Sequence, residues 1–267
     1  MAIQALHSAS TGMNALSTEI DVISNNLANV NTTGFKASRV NFEDLIYQQK
    51  RQPGVENGAG TAAPAGLQVG MGTKISNTQF DFSPGSPVVT GRPLDVYIEG
   101  DGFFEVEILG EFGGGTGYAR AGNFFVNKDG DLVLGNAQGP RVPGVTISGD
   151  VQTIEISQSG EISITRPDNS ITSAGNLQLN KFVNPAGLQS IGGNIYVETE
   201  ISGPPTSGEP GQQGFGTLAQ GQLESSNVNP VTELVSLIKT QRAFEMNSQT
   251  IQAADEVLQV VGNLRRF

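Results

Sequence analysis

Histidine occurs once in the 267-residue chain, at His7, and cysteine does not occur at all. A Ser-His-Asp relay would have to run through His7, and sites built from several histidines or from thiolates have no ligands to use. His7 reads as a polar residue on a helix flank. The run Gly113-Gly114-Gly115-Thr116-Gly117 lacks the lysine and the helix start of a phosphate loop, which leaves a hairpin tip. Asn127-Lys128-Asp129-Gly130-Asp131 has some calcium-loop character but no bidentate glutamate at its far end, so a plain turn is expected. Glu105 and Glu107 alternate along one strand and share a solvated face, and no carboxylate pair is singled out for sugar hydrolysis. The residues argue against an enzyme: no catalytic, cofactor-binding or metal-binding residue is assigned.

Charge narrows the partners. There are 15 basic and 26 acidic residues, a net charge of −11. Residues 1–40 and 231–267 are each neutral, so the acidic excess lies wholly in residues 41–230. An acidic middle without basic runs argues against nucleic acid and against an anionic membrane surface. No apolar run approaches the roughly 20 residues of a membrane-spanning helix, and no signal-peptide core follows Met1. A protein that is not membrane-embedded is expected, either cytoplasmic or exported without a cleaved signal.

With little chemistry to position, the pattern of the elements carries the information. Leu6, Met13, Ile20 and Leu27 recur at a spacing of seven, and Ala9, Leu16, Ile23 and Val30 follow three places after each. This is an a/d seam held over four heptads, and it predicts a long helix, running to Val30, that needs a partner helix. The other end of the chain repeats the pattern with Leu237, Phe244, Ile251 and Leu258, beside a weaker seam of Thr240, Asn247, Ala254 and Val261. Its opposite face is polar: Arg242, Glu245, Gln249, Gln252, Glu256, Gln259 and Asn263. Asn31-Thr32-Thr33-Gly34 is expected to stop the first helix, and Asn229-Pro230 to cap and open the last. Of the 35 glycines, only Gly12, Gly34 and Gly262 fall in residues 1–35 and 228–267. Phe42 to Tyr47 suits a short helix or an extended segment, and Gln52 to Gly72, rich in Gly, Ala, Pro and Gln, reads as a long loop. Short alternating runs such as Leu94–Ile98, Phe103–Ile108, Thr153–Ile156 and Glu161–Ile164 follow, with hairpin tips at residues 128–131 and 158–161.

The fold class is therefore α+β: long N- and C-terminal helices paired as a coiled coil, an extended linker region, and a mainly antiparallel β middle domain. The expected divisions are an inner helical domain of residues 1–35 plus 228–267, a connecting segment 36–75, and a β-rich outer domain 76–227.

Three stretches resemble the flagellar rod and hook protein family. Asn25-Asn26-Leu27-Ala28-Asn29-Val30-Asn31-Thr32-Thr33-Gly34-Phe35-Lys36 is similar to its N-terminal signature. Glu99-Gly100-Asp101-Gly102-Phe103-Phe104 resembles its central motif. Leu223-Glu224-Ser225-Ser226-Asn227-Val228-Asn229, with Thr240-Gln241-Arg242-Ala243-Phe244-Glu245-Met246-Asn247, resembles its C-terminal signature. Asn26, Asn29, Asn31, Thr32, Gly34, Phe35 and Lys36 carry the first match. Within the family, the length and the stretch Gln49 to Gly72 look most like the distal-rod members.

The resemblance implies a structural subunit that polymerises helically into a rigid hollow driveshaft around an export channel. It implies self-assembly through Leu6, Met13, Leu16, Ile20, Ile23, Leu27, Val30, Leu237, Phe244, Ile251 and Leu258. Gln249, Gln252, Gln259 and Asn263 are then channel-lining candidates. The implied partners are other copies of the chain, proximal rod proteins and hook protein axially, ring bushing proteins around it, and the flagellar type III export apparatus. The implied place is the basal body, with the rod spanning the periplasm towards the outer membrane. The alternatives are a proximal rod or hook protein of the same family, or a surface β-rich binding module on a coiled-coil stem.

Overall fold

Helix α1 spans Ala2–Ala28, alanine-rich and free of proline, with a single interior glycine. The seam predicted a helix reaching Val30, but α1 stops at Ala28. The reason is local: the Asn29 carbonyl accepts from the Thr32 amide at 3.1 Å and its side-chain oxygen accepts from the Thr32 hydroxyl at 3.0 Å, which closes a turn. Helix α2 spans Pro230–Leu264. Asn229 is its cap, accepting from the amides of Val231 at 3.1 Å and Thr232 at 3.3 Å, with Pro230 where no donor is needed. The computed structural model describes residues 2–52, 56–57, 61–62, 65–108, 113–147, 149 and 151–264.

The chain divides into two compact units, residues 1–27, 38–79 and 229–267 forming one and residues 28–37 and 80–228 the other. The segment 36–75, expected as a connector, is thus shared: 38–75 groups with the helices and Lys36 with the β-rich unit.

In the helical unit the strand Ser38–Asp44 pairs with Thr73–Phe80, so Phe42 is extended rather than helical. Tyr47–Arg51 runs antiparallel to Leu67–Gly70 in the register Tyr47↔Gly70, and Glu56–Asn57 pairs with Thr61–Ala62. The expected loop from Gln52 to Gly72 is therefore largely a ladder among the described residues. Composition hid it because backbone pairing holds the first strand while its side chains stay outside: all of Tyr47–Arg51 is exposed. The base of this ladder meets α1. The Thr73 amide donates to the Thr11 hydroxyl at 3.4 Å, and His7 Nδ1 lies 3.1 Å from the Met71 carbonyl oxygen.

The β-rich unit is built on one antiparallel sheet. Its path runs Thr153–Ile156, Glu161–Thr165, Ile171–Asn176, Arg141–Thr146, Phe103–Glu107, Thr116–Ala119, Ile195–Val197 and Gln189–Gly192. Alternation along Phe103–Glu107 sends Phe104 and Val106 into the main core, with Ile98, Phe124, Leu132, Ile162, Leu179 and Ile195. Phe103 enters a second, aromatic cluster with Tyr118, Phe182, Leu188 and Tyr196. The rings meet edge to face, Tyr118 and Phe182 at 4.8 Å between centroids. Asn127 builds the tip expected at residues 128–131 by accepting from the amides of Asp129 and Asp131.

Candidate functional site

The helical unit presents the faces of its two long helices. On α1, Ala9, Ala15 and Ile23 are buried, as is Asn26, while Leu6, Met13, Leu16, Ile20 and Leu27 are half-buried, with Val30 beyond the helix end. On α2, Leu237 and Ile251 are half-buried, but Phe244 and Leu258 are each 36% exposed. The helices meet at Gly12, where an added Cβ would lie 3.1 Å from Asn247 Nδ2. From Asp255 to Asn263 every residue of α2 is exposed, and so are Gln249 and Gln252.

One group on α2 escaped the heptad reading. Val231, Leu234, Val235 and Ile238 stand at i, i+3, i+4 and i+7 and are 45–68% exposed. They form an apolar stripe over the first two turns. The helical spacing continues this face through Arg242, Glu245, Gln249 and Gln252, so it changes from apolar to polar along its length. The signal is present in the sequence as a second periodicity, offset from the heptad seam.

The signature residues do structural work at close range. Asn26 clamps the backbone of Ser38, donating to its carbonyl at 2.8 Å and accepting from its amide at 3.0 Å. Gly34 takes φ +68°, and a Cβ there would lie 2.8 Å from the Ala121 amide nitrogen, so only glycine fits. Its amide donates to the Glu224 carbonyl at 2.8 Å. Phe35 is half-buried and accepts at its carbonyl from the Asn227 amide, while Asn31 is exposed. Lys36 is fully buried, its ammonium donating to the Ser83 carbonyl at 2.7 Å and to Glu224 Oε1 at 2.8 Å. Glu224 also accepts from Arg120 Nε and from the Gly85 amide, both at 2.8 Å. Desolvation lowers the Lys36 pKa, opposed by the Glu224 charge. Arg120 and Glu224 were not assigned a role from sequence, because nothing local marks a pair 104 positions apart.

Among the described residues no group of three or more His, Cys, Asp or Glu could hold a metal ion, and no helix is long and apolar enough to cross a membrane.

Comparison with known proteins matches these parts in order. Residues 6–36 match the model for flagella basal body rod proteins, residues 97–164 the D1 domain of the flagellar hook proteins FlgE/F/G, and residues 219–264 the C-terminal region of basal body rod FlgEFG proteins. The flagellar basal-body rod protein FlgG of Caulobacter vibrioides is 40% identical over 265 residues, covering 98% of this chain and all of the relative. FlgG of Borreliella burgdorferi is 42% identical over 268 residues, 99% of each chain. The chain belongs to the flagellar basal-body rod proteins. FlgG of Buchnera aphidicola from Schizaphis graminum, at 42% identity over 263 residues, also matches along its whole length. The likeness to the rod proteins therefore includes the hairpin region between the first two matched models, as well as the signatures.

Proposed function

We propose that this rod protein is a subunit of the distal rod that polymerises helically, through its terminal helices, into a stiff hollow shaft. The observation that carries the reading is the division of one face of α2. Val231, Leu234, Val235 and Ile238 are 45–68% exposed; burying such a side chain completely is worth about 1.5–3 kcal/mol, and burial against a second copy supplies roughly the remaining half of it. The turns that follow present Gln249, Gln252, Gln259 and Asn263, uncharged amides suited to a wet channel wall past which unfolded chains move.

In this reading α1 and α2 pair as a coiled coil along their seams, with Gly12 and Asn247 at the crossing. The exposed hairpin strands Tyr47–Arg51 and Leu67–Gly70 brace neighbouring subunits and stiffen the shaft. The acidic β-rich unit forms the outer wall, facing the ring bushings. Proximal rod proteins and hook protein adjoin it axially, and the type III apparatus exports it into the space between the membranes. A chain without cysteine suits passage in an unfolded state.

The test is electron microscopy of the concentrated protein beside a chain lacking residues 1–30. Straight hollow filaments from the full chain alone support the reading. Filaments from both chains would remove α1 from the assembly mechanism.

A further inference from the structure

The buried cluster of Lys36, Arg120 and Glu224 contains two cations and one carboxylate, and the three side chains are only 0%, 3% and 1% exposed. Its members come from three places. Arg120 follows the sheet strand Thr116–Ala119 and is held there by the carbonyls of Gly102 and Gly100. Glu224 ends the strand that pairs with Pro87–Val89, six positions before α2. Lys36 lies eight positions beyond the end of α1.

The contacts are not symmetric. The lead into α2 has anchors of its own in the β-rich unit: its strand is paired, the Ser225 amide donates to the Ser86 carbonyl, and Glu224 neutralises Arg120 while accepting from the Gly85 amide. The lead out of α1 is seated largely on it. The Gly34 amide donates to the Glu224 carbonyl, the Ala37 amide to Asn227 Oδ1 at 2.7 Å, and the Asn227 amide to the Phe35 carbonyl. Other bonds of that lead go elsewhere: Asn194 donates to the Thr33 carbonyl, the Asp81 amide to the Ala37 carbonyl, and the Lys36 ammonium to the Ser83 carbonyl.

We propose that Lys36, Arg120 and Glu224 are positioning residues that make docking of the two leads sequential, the C-terminal lead first and the N-terminal lead second. The charge count gives the direction. Without Lys36, Arg120 and Glu224 remain a neutral, hydrogen-bonded pair. Without Glu224, Lys36 would bring a second cation to a buried one, the arrangement that low-polarity surroundings penalise most. The segment that leads out of α1 is therefore ordered only once the segment that leads into α2 is in place. One carboxylate thus serves both leads within the β-rich unit.

The test is amide hydrogen exchange read by mass spectrometry on the full chain, comparing Glu224→Gln, Lys36→Met and the double variant. Glu224→Gln is expected to speed exchange at least about tenfold in both 28–37 and 222–228, with Phe103–Glu107 unchanged. Lys36→Met is expected to leave 222–228 within about twofold of the parent. The double variant is expected to regain protection at 28–37 relative to Glu224→Gln alone, because the like charges no longer meet. Protection of 28–37 that survives Glu224→Gln would overturn the proposal, as would Lys36→Met releasing 222–228 as far as Glu224→Gln does. If Glu224→Gln unfolds the whole unit, a variant that adds both Lys36→Met and Arg120→Met decides: recovery of protected Phe103–Glu107 supports the buried-charge account, and continued unfolding refutes it.

Discussion

Individual residues in this rod protein act mainly through burial and backbone geometry. Gly34 is held at φ +68° with the Ala121 backbone against its open side. Gly34→Ala is expected to destabilise the β-rich unit by more than about 1 kcal/mol, since both strain and overlap act together; urea unfolding of the two chains measures it. Burial raises the Tyr118 hydroxyl from its ordinary 10.0 to about 12, with the charges of Glu198 and Glu105 adding to the effect. An unfolded tyrosine loses its proton first, so in that window the folded state binds the extra proton and stability falls as pH rises. Tyr118→Phe should flatten the fall in unfolding free energy between about pH 9 and about pH 11.5; an unchanged slope would mean that the hydroxyl is not protected. Asn229 could be read as a cap because its partners lie two and three residues away. Lys36 could be read only as part of a signature, because its carboxylate partner lies 188 positions away.

At the scale of elements, the sequence disclosed what repeats and concealed what pairs. Both long helices were legible from their periodicity, and the position of α2 from Asn229-Pro230. The end of α1 was misplaced by two residues because side-chain capture of Thr32 by Asn29 outweighed one more apolar seam position. The ladder after Ile46 was missed because its first strand, Tyr47–Arg51, buries no residue, and the apolar stripe on α2 because a second face was hidden behind the first. That stripe supports a direct prediction: Leu234→Ser with Ile238→Ser should leave the helix content and thermal unfolding of the monomer nearly unchanged and abolish assembly in sedimentation velocity. Loss of monomer stability instead would place the stripe inside the folded chain. The sheet core predicts the opposite behaviour. Phe104 is wholly buried against Phe124 at 5.1 Å between ring centroids. Phe104→Ala should cost about 3–5 kcal/mol in denaturant unfolding.

The whole molecule separates its tasks between its two units. One unit carries the helices, with apolar surface left exposed on α2 and polar amides beyond it. The other closes a conventional antiparallel core and carries most of the acidic excess. The sequence could show this division in charge and in glycine usage. It could not show that residues 28–37 group with the β-rich unit, since that follows from contacts to Glu224, Ala121 and Asn194 far along the chain. The most direct measurement is cryo-electron microscopy of filaments grown from the purified chain, at a resolution that places side chains. The account predicts Val231, Leu234, Val235 and Ile238 buried between subunits, with Gln249, Gln252, Gln259 and Asn263 facing a central lumen. A filament with that stripe open to solvent, or with the β-rich units around the lumen, would contradict it.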